Sequence, residues 1–513
     1  MSLSGNLSRN SNSNSNSRSD DLSGYTFLSL LSQWVDIRPH DIAYITAHHD
    51  YTWQELALVT AQYQSKLHTQ GLQAGDVLLL VGKNSPELVC IYLACLSLGI
   101  CPAFSPIQPY MQIATKLNTL YKPGEYGKYS RAYLWFDQLS LSSHRQQWMT
   151  SDNERLKQQV TLINLPMLDT LSIDEYDVDC TKRDCQDLDQ LASIIFTSGS
   201  TGTPKAVLHT SGQHIASAKG LLNRFAFGQE DCWLLSLPMY HVSGLAIIWR
   251  WLVAGGQLKV GQGNLNQDIK GVTHASLVAT QLARLLQTSE VLSLQRVLLG
   301  GSHIPLSLGQ QAATQGIDTW IGYGMTEAAS TVTMKRVDGK NSVGSVISHR
   351  KVKVAQQTIY IAGDTLAQGY YKQGEVTSLL DSSGWYNSQD LGCWLDGDEL
   401  QIIGRADNLF ISGGENIHCE EIEAALNAHP LIEQAFILAV EDSEFGARPI
   451  AIVQTQQLES IERYNDFLRD KLDKFKWPIF YFHMPELPHS GIKVSRQALK
   501  SWLTAHQNNF RVI

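Results

Sequence analysis

SIIFTSGSTGTPKAVLHT, residues 193–210, runs from an apolar strand into a loop of small and hydroxylated residues, then into a second apolar segment. Small residues let backbone N–H groups approach a phosphate closely. Thr197, Ser198, Ser200 and Thr201 add hydroxyl donors, Gly199 and Gly202 keep the backbone accessible, and Lys205 adds positive charge. An ordinary Gly/Ser loop seldom combines these features behind a buried strand. The loop is not a Walker A motif, which requires G-x-x-x-x-G-K-[ST]. Counted from Gly199, the sixth position is Pro204 and the eighth is Ala206. A Walker loop also opens a helix, whereas KAVLHT has the pattern of a strand. The stretch therefore reads as a different phosphate loop.

Outward from this loop the chain alternates helical and strand patterns. YTWQELALVTAQYQSKLHTQG (51–71) has helical periodicity and stops at Gly71, and DVLLLVG (76–82) is a buried strand. This alternation predicts an α/β fold of layered, mainly parallel sheets. Residues 88–115 carry no charge and imitate a membrane span, but Ser97, Gly99 and Pro102 punctuate them. A buried helix ending near Gly99, followed by a strand CPAFSPI, explains them better than a span. Residues 117–165 are polar and without sustained period, and read as a surface elaboration. The last hundred or so residues read as a small, mobile α+β domain. Its expected elements are a helix over 419–429, strands over 434–442 and 449–455, and a helix over 462–472. The boundary is expected near GRADN, which divides the chain into 25–406 and 407–513. Residues 1–24, with their Ser/Asn alternation, read as a disordered tail.

Composition narrows the function classes. With 43% hydrophobic and 17% charged residues among 513, a large core is expected. The net charge of −9 argues against a nucleic-acid binder. Residues 471–513 run the other way, with seven Lys/Arg against two Asp/Glu. They are either a solvated basic face or a cap that closes over an anion. The eight cysteines form no CxxC pair, so zinc and thioredoxin-like readings fail. Reduced cysteines in a cytoplasmic protein are expected.

T-S-G-S-T-G-x-P-K is similar to the signature of the adenylate-forming superfamily, which includes acyl-CoA synthetases, luciferases and peptide-synthetase adenylation domains. Further stations follow in order: LSLPMYHVSG (235–244), LLGGS (298–302), IGYGMTE (321–327), WYNSQDLG (385–392), IIGRADNLFISGGENIHCEEIE (402–423) and PHSGIKVSR (488–496). Within the superfamily, DCWLLSLPMYHVSG…WRWL, THASLVATQL, DNLFISGGE, EFGARP and GIKVSRQALK resemble the o-succinylbenzoate–CoA ligases of menaquinone biosynthesis. The resemblance implies a carboxylate attacking the α-phosphate of ATP, with Mg²⁺ present, to give an acyl adenylate. Coenzyme A then displaces AMP. Such chemistry needs charge neutralisation, alignment and water exclusion rather than a protein nucleophile.

The resemblance also implies roles for individual residues. The loop from Thr197 to Lys205 holds the β- and γ-phosphates. Gly301 and Ser302 lie along the adenine and Tyr323 stacks on it. Thr326 bonds the α-phosphate, and Glu327 binds Mg²⁺ directly or through water. Asp390 accepts from the ribose hydroxyls, with Arg405 nearby. Lys493 is the adenylation catalyst, although the usual Gly-Lys pair is split into Gly491, Ile492 and Lys493. Asp407 is the hinge about which the C-terminal domain turns between the half-reactions. Gly413 and Gly414 line the pantetheine path, form a tight turn, or do both. His241 and Ser243 sit near the acyl group or gate the thiol path. Arg250, between Trp249 and Trp251, either meets the substrate carboxylate that is not activated or makes a structural salt bridge. Other aryl- or acyl-CoA ligases, and a nucleotide-binding protein without catalysis, are the alternative readings. The sequence does not specify an oligomeric state.

Overall fold

The structure is a computed structural model that describes residues 27–122, 132–137, 160–173, 188–197, 204–288, 291–300, 304–413, 415–487 and 494–506. The uncharged stretch resolves into a helix, Pro86–Leu98, and a strand, Cys101–Ser105. Ser85 caps the helix by accepting from the Leu88 N–H, and Pro86 occupies the first turn, where its missing N–H costs nothing. The helix ends at Gly99, whose φ of 72° suits glycine. Every residue from Glu87 to Leu98 is buried, so the apolar run is interior rather than lipid-facing. Among the described residues no helix is long and apolar enough to cross a membrane.

Two large sheets organise the chain. One has the strand order Glu375–Thr377, Gly369–Lys372, Lys205–Thr210, Leu191–Thr197, Cys101–Ser105, Val77–Val81, Ala132–Phe136 and Val160–Ile163. The last five of these are mutually parallel. The second has nine strands, with a parallel centre formed by Asp318–Met325, Arg296–Leu299, His274–Leu277, Cys232–Leu234, Gln257–Lys259 and Ile42–Ile45. The largest core lies between the sheets. Leu78, Leu80 and Ile195 of the first meet Trp233, Leu258 and Leu298 of the second, across helices that include Trp53–Thr69, Pro86–Leu98 and Val242–Ala254. Parallel strands buried on both faces read as the continuous apolar runs seen in the sequence.

Residues 117–165 are not a surface elaboration throughout. Tyr110–Leu120 is a helix, and AYLWF (132–136) is a strand, buried at every position and parallel to Val77–Val81. Its five apolar residues were masked in the sequence by charged flanks on both sides. Residues 123–131 and 138–159 lie outside the described residues, as does the tail over 1–24.

A four-stranded antiparallel sheet follows, Lys351–Ala355, Thr358–Ala362, Tyr386–Leu395 and Glu399–Arg405. The single turn Ala406–Asn408 leads to the hairpin Leu409–Ser412 and Glu415–His418, then to the helix Cys419–Asn427. The antiparallel pair Gln434–Asp442 and Gly446–Gln454 forms the expected strands, and the helix expected over 462–472 spans Ile461–Leu468. The C-terminal residues pack their own core around Ile417, Ile422, Leu426, Ile437, Val453 and Tyr464.

Candidate active site

In parallel α/β sheets, ligands collect at the carboxyl ends of strands. Thr197 ends one strand there, and Thr326 and Glu327 follow the carboxyl end of Asp318–Met325. Thr197 pairs in register with Lys205, so the expected phosphate loop connects two antiparallel neighbours. Ser198, Gly199, Ser200, Thr201 and Gly202 lie outside the described residues, and so do Gly301, Ser302, Gly414 and Lys493.

The Lys205 ammonium stands 4.9 Å from the centre of the Tyr370 ring, and the Tyr370 hydroxyl donates to Glu327 Oε1 at 3.1 Å. Burial, then the Glu327 carboxylate, pushes the Tyr370 phenol up to about 12, which keeps it a neutral donor. Tyr370 thus joins the loop lysine to the expected metal carboxylate. Nothing in GYYK signals this, because the link depends on Gly369–Lys372 pairing beside Lys205–Thr210. Among the described residues no group of three or more His, Cys, Asp or Glu side chains could hold a metal ion. A lone Glu327 fits Mg²⁺ only as a shared ligand with phosphate oxygens, the usual mode for this ion.

Asp390 lies in a bulge of the strand Tyr386–Leu395, where Gln389 has φ 59°, and it is buried on the same face as Ser388. The Ser388 hydroxyl donates to the Ile359 carbonyl and accepts from the Asp390 N–H. One Asp390 oxygen accepts from the Tyr323 hydroxyl at 2.5 Å, and the other accepts from Arg405 Nη1 at 2.9 Å. Burial raises the Asp390 carboxyl above its ordinary range, opposed by these two donors. Arg405 also donates through Nε to Asp407 at 3.1 Å, which ties Asp390 to the expected hinge. Gly413 (φ 59°) turns the hairpin between Ser412 and Glu415, and its N–H is held by the Phe445 carbonyl. The tight-turn role of this glycine is therefore present.

His241, Ser243 and Arg250 lie along one helix, Val242–Ala254, with exposed His241 as its N-cap. Ser243 and Arg250 are seven residues apart and share a face. Arg250 is 1% exposed, yet no carboxylate among the described residues pairs with it. Its Nη2 reaches only Ser330 Oγ at 3.5 Å and Thr331 Oγ1 at 3.4 Å. The guanidinium lies 5.4 Å from the Trp233 ring centre, and Nε has no partner. Burial lowers Arg250 to about 9. Of the two roles read from the sequence, the structural salt bridge is absent among the described residues. The two hydroxyls open the strand Ser330–Arg336, after a turn at which Ala329 (φ 48°) and Ser330 (φ 90°) hold left-handed backbone, a conformation that costs energy in non-glycine residues.

Sequence reasoning missed a buried histidine pair beneath this turn. His209 and His214 are 0% and 1% exposed with ring centres 5.0 Å apart. His214 shares a hydrogen bond with Ser193 and stacks on Trp249 at 5.3 Å. Burial lowers both, His209 to about 4. The unfolded chain therefore takes up protons below pH about 6.5 that the fold refuses until about pH 4. Stability present above pH about 6.5 should be lost progressively across that window. His209→Asn should flatten this part of the Tm–pH curve. An unchanged slope in the variant would refute the assignment.

Comparison with known proteins adds family context. The model for AMP-binding enzymes matches residues 31–371, and that for the AMP-binding enzyme C-terminal domain matches 421–492. The chain is similar to the 2-succinylbenzoate–CoA ligase of Escherichia coli, at 37% identity over 92% of this chain and 98% of the relative. It is 46% identical to that of Salmonella typhimurium over 62% and 70%. Among solved structures it resembles an arginine-to-lysine variant of E. coli MenE with bound OSB-AMS (TM-score 0.78, 35% identity, 92% and 98% covered). It also resembles Bacillus subtilis MenE in complex with ATP and magnesium ion (TM-score 0.75, 25% identity, 90% and 96% covered). The same enzyme with the acyl-adenylate intermediate OSB-AMP gives a TM-score of 0.73 at 25% identity, covering 90% and 95%.

Proposed function

The chain belongs to the 2-succinylbenzoate–CoA ligases of the AMP-binding enzyme family, and from that membership we infer how its own residues carry the reaction. It is an AMP-forming acid–thiol ligase of menaquinone biosynthesis that works through an acyl-adenylate intermediate. A carboxylate oxygen of the acid bonds to the α-phosphorus of ATP as the bond to the β-phosphate breaks and pyrophosphate leaves. The sulfur of coenzyme A then bonds to the acyl carbon as AMP leaves.

We propose the following division of labour. Lys205 and the loop from Thr197 hold the β- and γ-phosphates. Thr326 bonds the α-phosphate, and Glu327 shares Mg²⁺ with the phosphates, its orientation fixed by Tyr370. Asp390 receives the ribose hydroxyls while Tyr323 and Arg405 hold it in place. Lys493 brings its ammonium to the α-phosphate during adenylation. Asp407 is the hinge between the two domains, 25–406 and 407–513, and Gly413 and Gly414 line the thiol path. Arg250 neutralises the carboxylate that is not activated, with His241 and Ser243 nearer the acyl group. The setting for the reaction is cytoplasmic.

The observation that carries the substrate reading is a fully buried guanidinium without a carboxylate partner among the described residues. A buried cation of that kind needs an anion, and a dicarboxylic acid supplies one. Carboxylate-dependent ATP–pyrophosphate exchange tests it, with 2-succinylbenzoate beside benzoate and 2-acetylbenzoate and with coenzyme A left out. Exchange is expected to be much faster with 2-succinylbenzoate than with either monocarboxylic acid. Equal exchange with 2-acetylbenzoate, which lacks the second carboxylate, would overturn the role of Arg250.

A further inference from the structure

Lys116 belongs to none of the motifs above, and it lies beside the strand end that leads into the expected phosphate loop. It sits on the helix Tyr110–Leu120 and is 5% exposed. Its ammonium donates to Ser105 Oγ at 2.7 Å and to Gln108 Oε1 at 2.5 Å, and lies 5.1 Å from the centre of the Phe196 ring. The Ser105 hydroxyl proton goes to the Pro106 carbonyl, so its oxygen faces the lysine as an acceptor. No carboxylate among the described residues pairs with Lys116. Ser105 and Phe196 stand at the carboxyl ends of neighbouring parallel strands, and Phe196 is one residue before Thr197, where the loop begins.

The side of the sheet matters. Phe196 packs in the apolar cluster that contains Ala206, Leu208, Ile113 and Leu117. Strand residues alternate faces, so Lys205 projects to the other side from Ala206. The loop thus springs from a sheet with one lysine on each face.

We propose that Lys116 is a positioning residue for ATP, a second positive charge beside Phe196 at the strand end that holds the bound triphosphate from the face opposite Lys205. The proposal rests on the ATP reading given above and deepens it. Burying a lone ammonium costs several kcal/mol, and the protein interior transmits its charge with little screening. A bound polyphosphate a short way beyond Phe196 would recover part of that cost. Burial alone lowers Lys116 to about 7, so the free protein can lose this charge near neutrality. By reciprocity, the anion that gains from the proton also holds it in place. Burial pushes Cys101 up to about 12, and Tyr121 and Tyr371 also upward. Tyr110 is a phenol on the same helix, Asp76 lies at its far end beside Tyr121, and Lys122 pairs with Glu375 on the surface.

The test is MgATP binding to the full chain without any acid substrate, at pH 6.5 and 8.5, for wild type, Lys116→Met and Lys116→Arg. Wild type should bind about tenfold more weakly at the higher pH relative to Lys116→Arg, which stays charged at both. Lys116→Met should be weak at both values, so its deficit against wild type appears at pH 6.5 and closes by pH 8.5. Melting temperatures should be level or higher in Lys116→Met, since the buried charge is gone. Equal affinity of wild type and Lys116→Met at pH 6.5 would overturn the proposal. So would a deficit of the same size at both pH values, the mark of a packing role. Wild type that binds no MgATP at all would overturn the ATP reading itself.

Discussion

Asp390→Asn should lower kcat/KM for ATP by about 100-fold while leaving the melting temperature within a few degrees of wild type. A carboxylate has about four lone-pair sites. Tyr323 and Arg405 occupy one site on each oxygen, so each oxygen keeps one site for a hydroxyl donor. The two hydroxyls of a ribose match that remainder. Asparagine offers one acceptor oxygen and an amide that can only donate, so at least one ribose bond is lost and the other loses its charge. Two charge-assisted bonds at about 1.5 kcal/mol each give the expected factor. The fold should tolerate the change. The Asn amide can donate to the Tyr323 oxygen, the Ser388 bulge is independent of the charge, and Arg405 keeps Asp407. Both half-reactions hold the same ribose, so pyrophosphate exchange and thioester formation from added acyl adenylate should fall together. An effect on one half-reaction only, or a loss below threefold, would remove Asp390 from the ribose site.

The sequence carried the parts of this protein that are local. Small hydroxylated residues followed by lysine read as a phosphate loop whatever surrounds them, although residues 198–203 lie outside the described residues. Ser85, Pro86 and Gly99 state where a helix begins and ends. What it could not carry was pairing between distant segments. Tyr370 acquires its role only because its strand lies beside Lys205–Thr210. Lys116 is one of many helix lysines until Ser105, Gln108 and Phe196 close around it. AYLWF was legible as an apolar run but sat between polar flanks, so a wide reading averaged it away, whereas its burial on both faces comes from two separate cores, one around Tyr133 and Trp135 and one around Ala132, Leu134 and Phe136. His209 and His214 look like ordinary polar residues in SGQHIASA and LHT, and only the packing of Trp249 and the strand register make them a buried pair. Arg250 was the reverse case. Its flanking tryptophans showed that it would be buried, and only the structure could say that no carboxylate among the described residues had come with it.

Arg250→Leu should therefore be the most selective substitution available in this chain. For 2-succinylbenzoate, kcat/KM is expected to fall by about 100- to 1,000-fold, the cost of leaving one member of a buried charge pair alone. For benzoate, which has no second carboxylate to lose, activity should change by less than about threefold. Stability separates the two origins of such a loss. An arginine held in a structural salt bridge leaves an unpaired carboxylate behind when it is removed, and the fold pays about 3–5 kcal/mol. Arg250 leaves behind Ser330 and Thr331 hydroxyls at 3.5 and 3.4 Å, the face of Trp233 and the like charge of Arg350, none of them a carboxylate. Its guanidinium is already disfavoured by burial, which lowers it to about 9. Leucine at this position should melt at the wild-type temperature or above it. Arg250→Lys should recover part of the activity, because a point charge replaces the charge but not the planar fork that grips two oxygens at once. A leucine variant that melts far below wild type and loses benzoate and 2-succinylbenzoate turnover in equal measure would make Arg250 a structural residue. A stable variant with selectivity collapsed toward benzoate would make it the group that distinguishes a dicarboxylic acid from a monocarboxylic one.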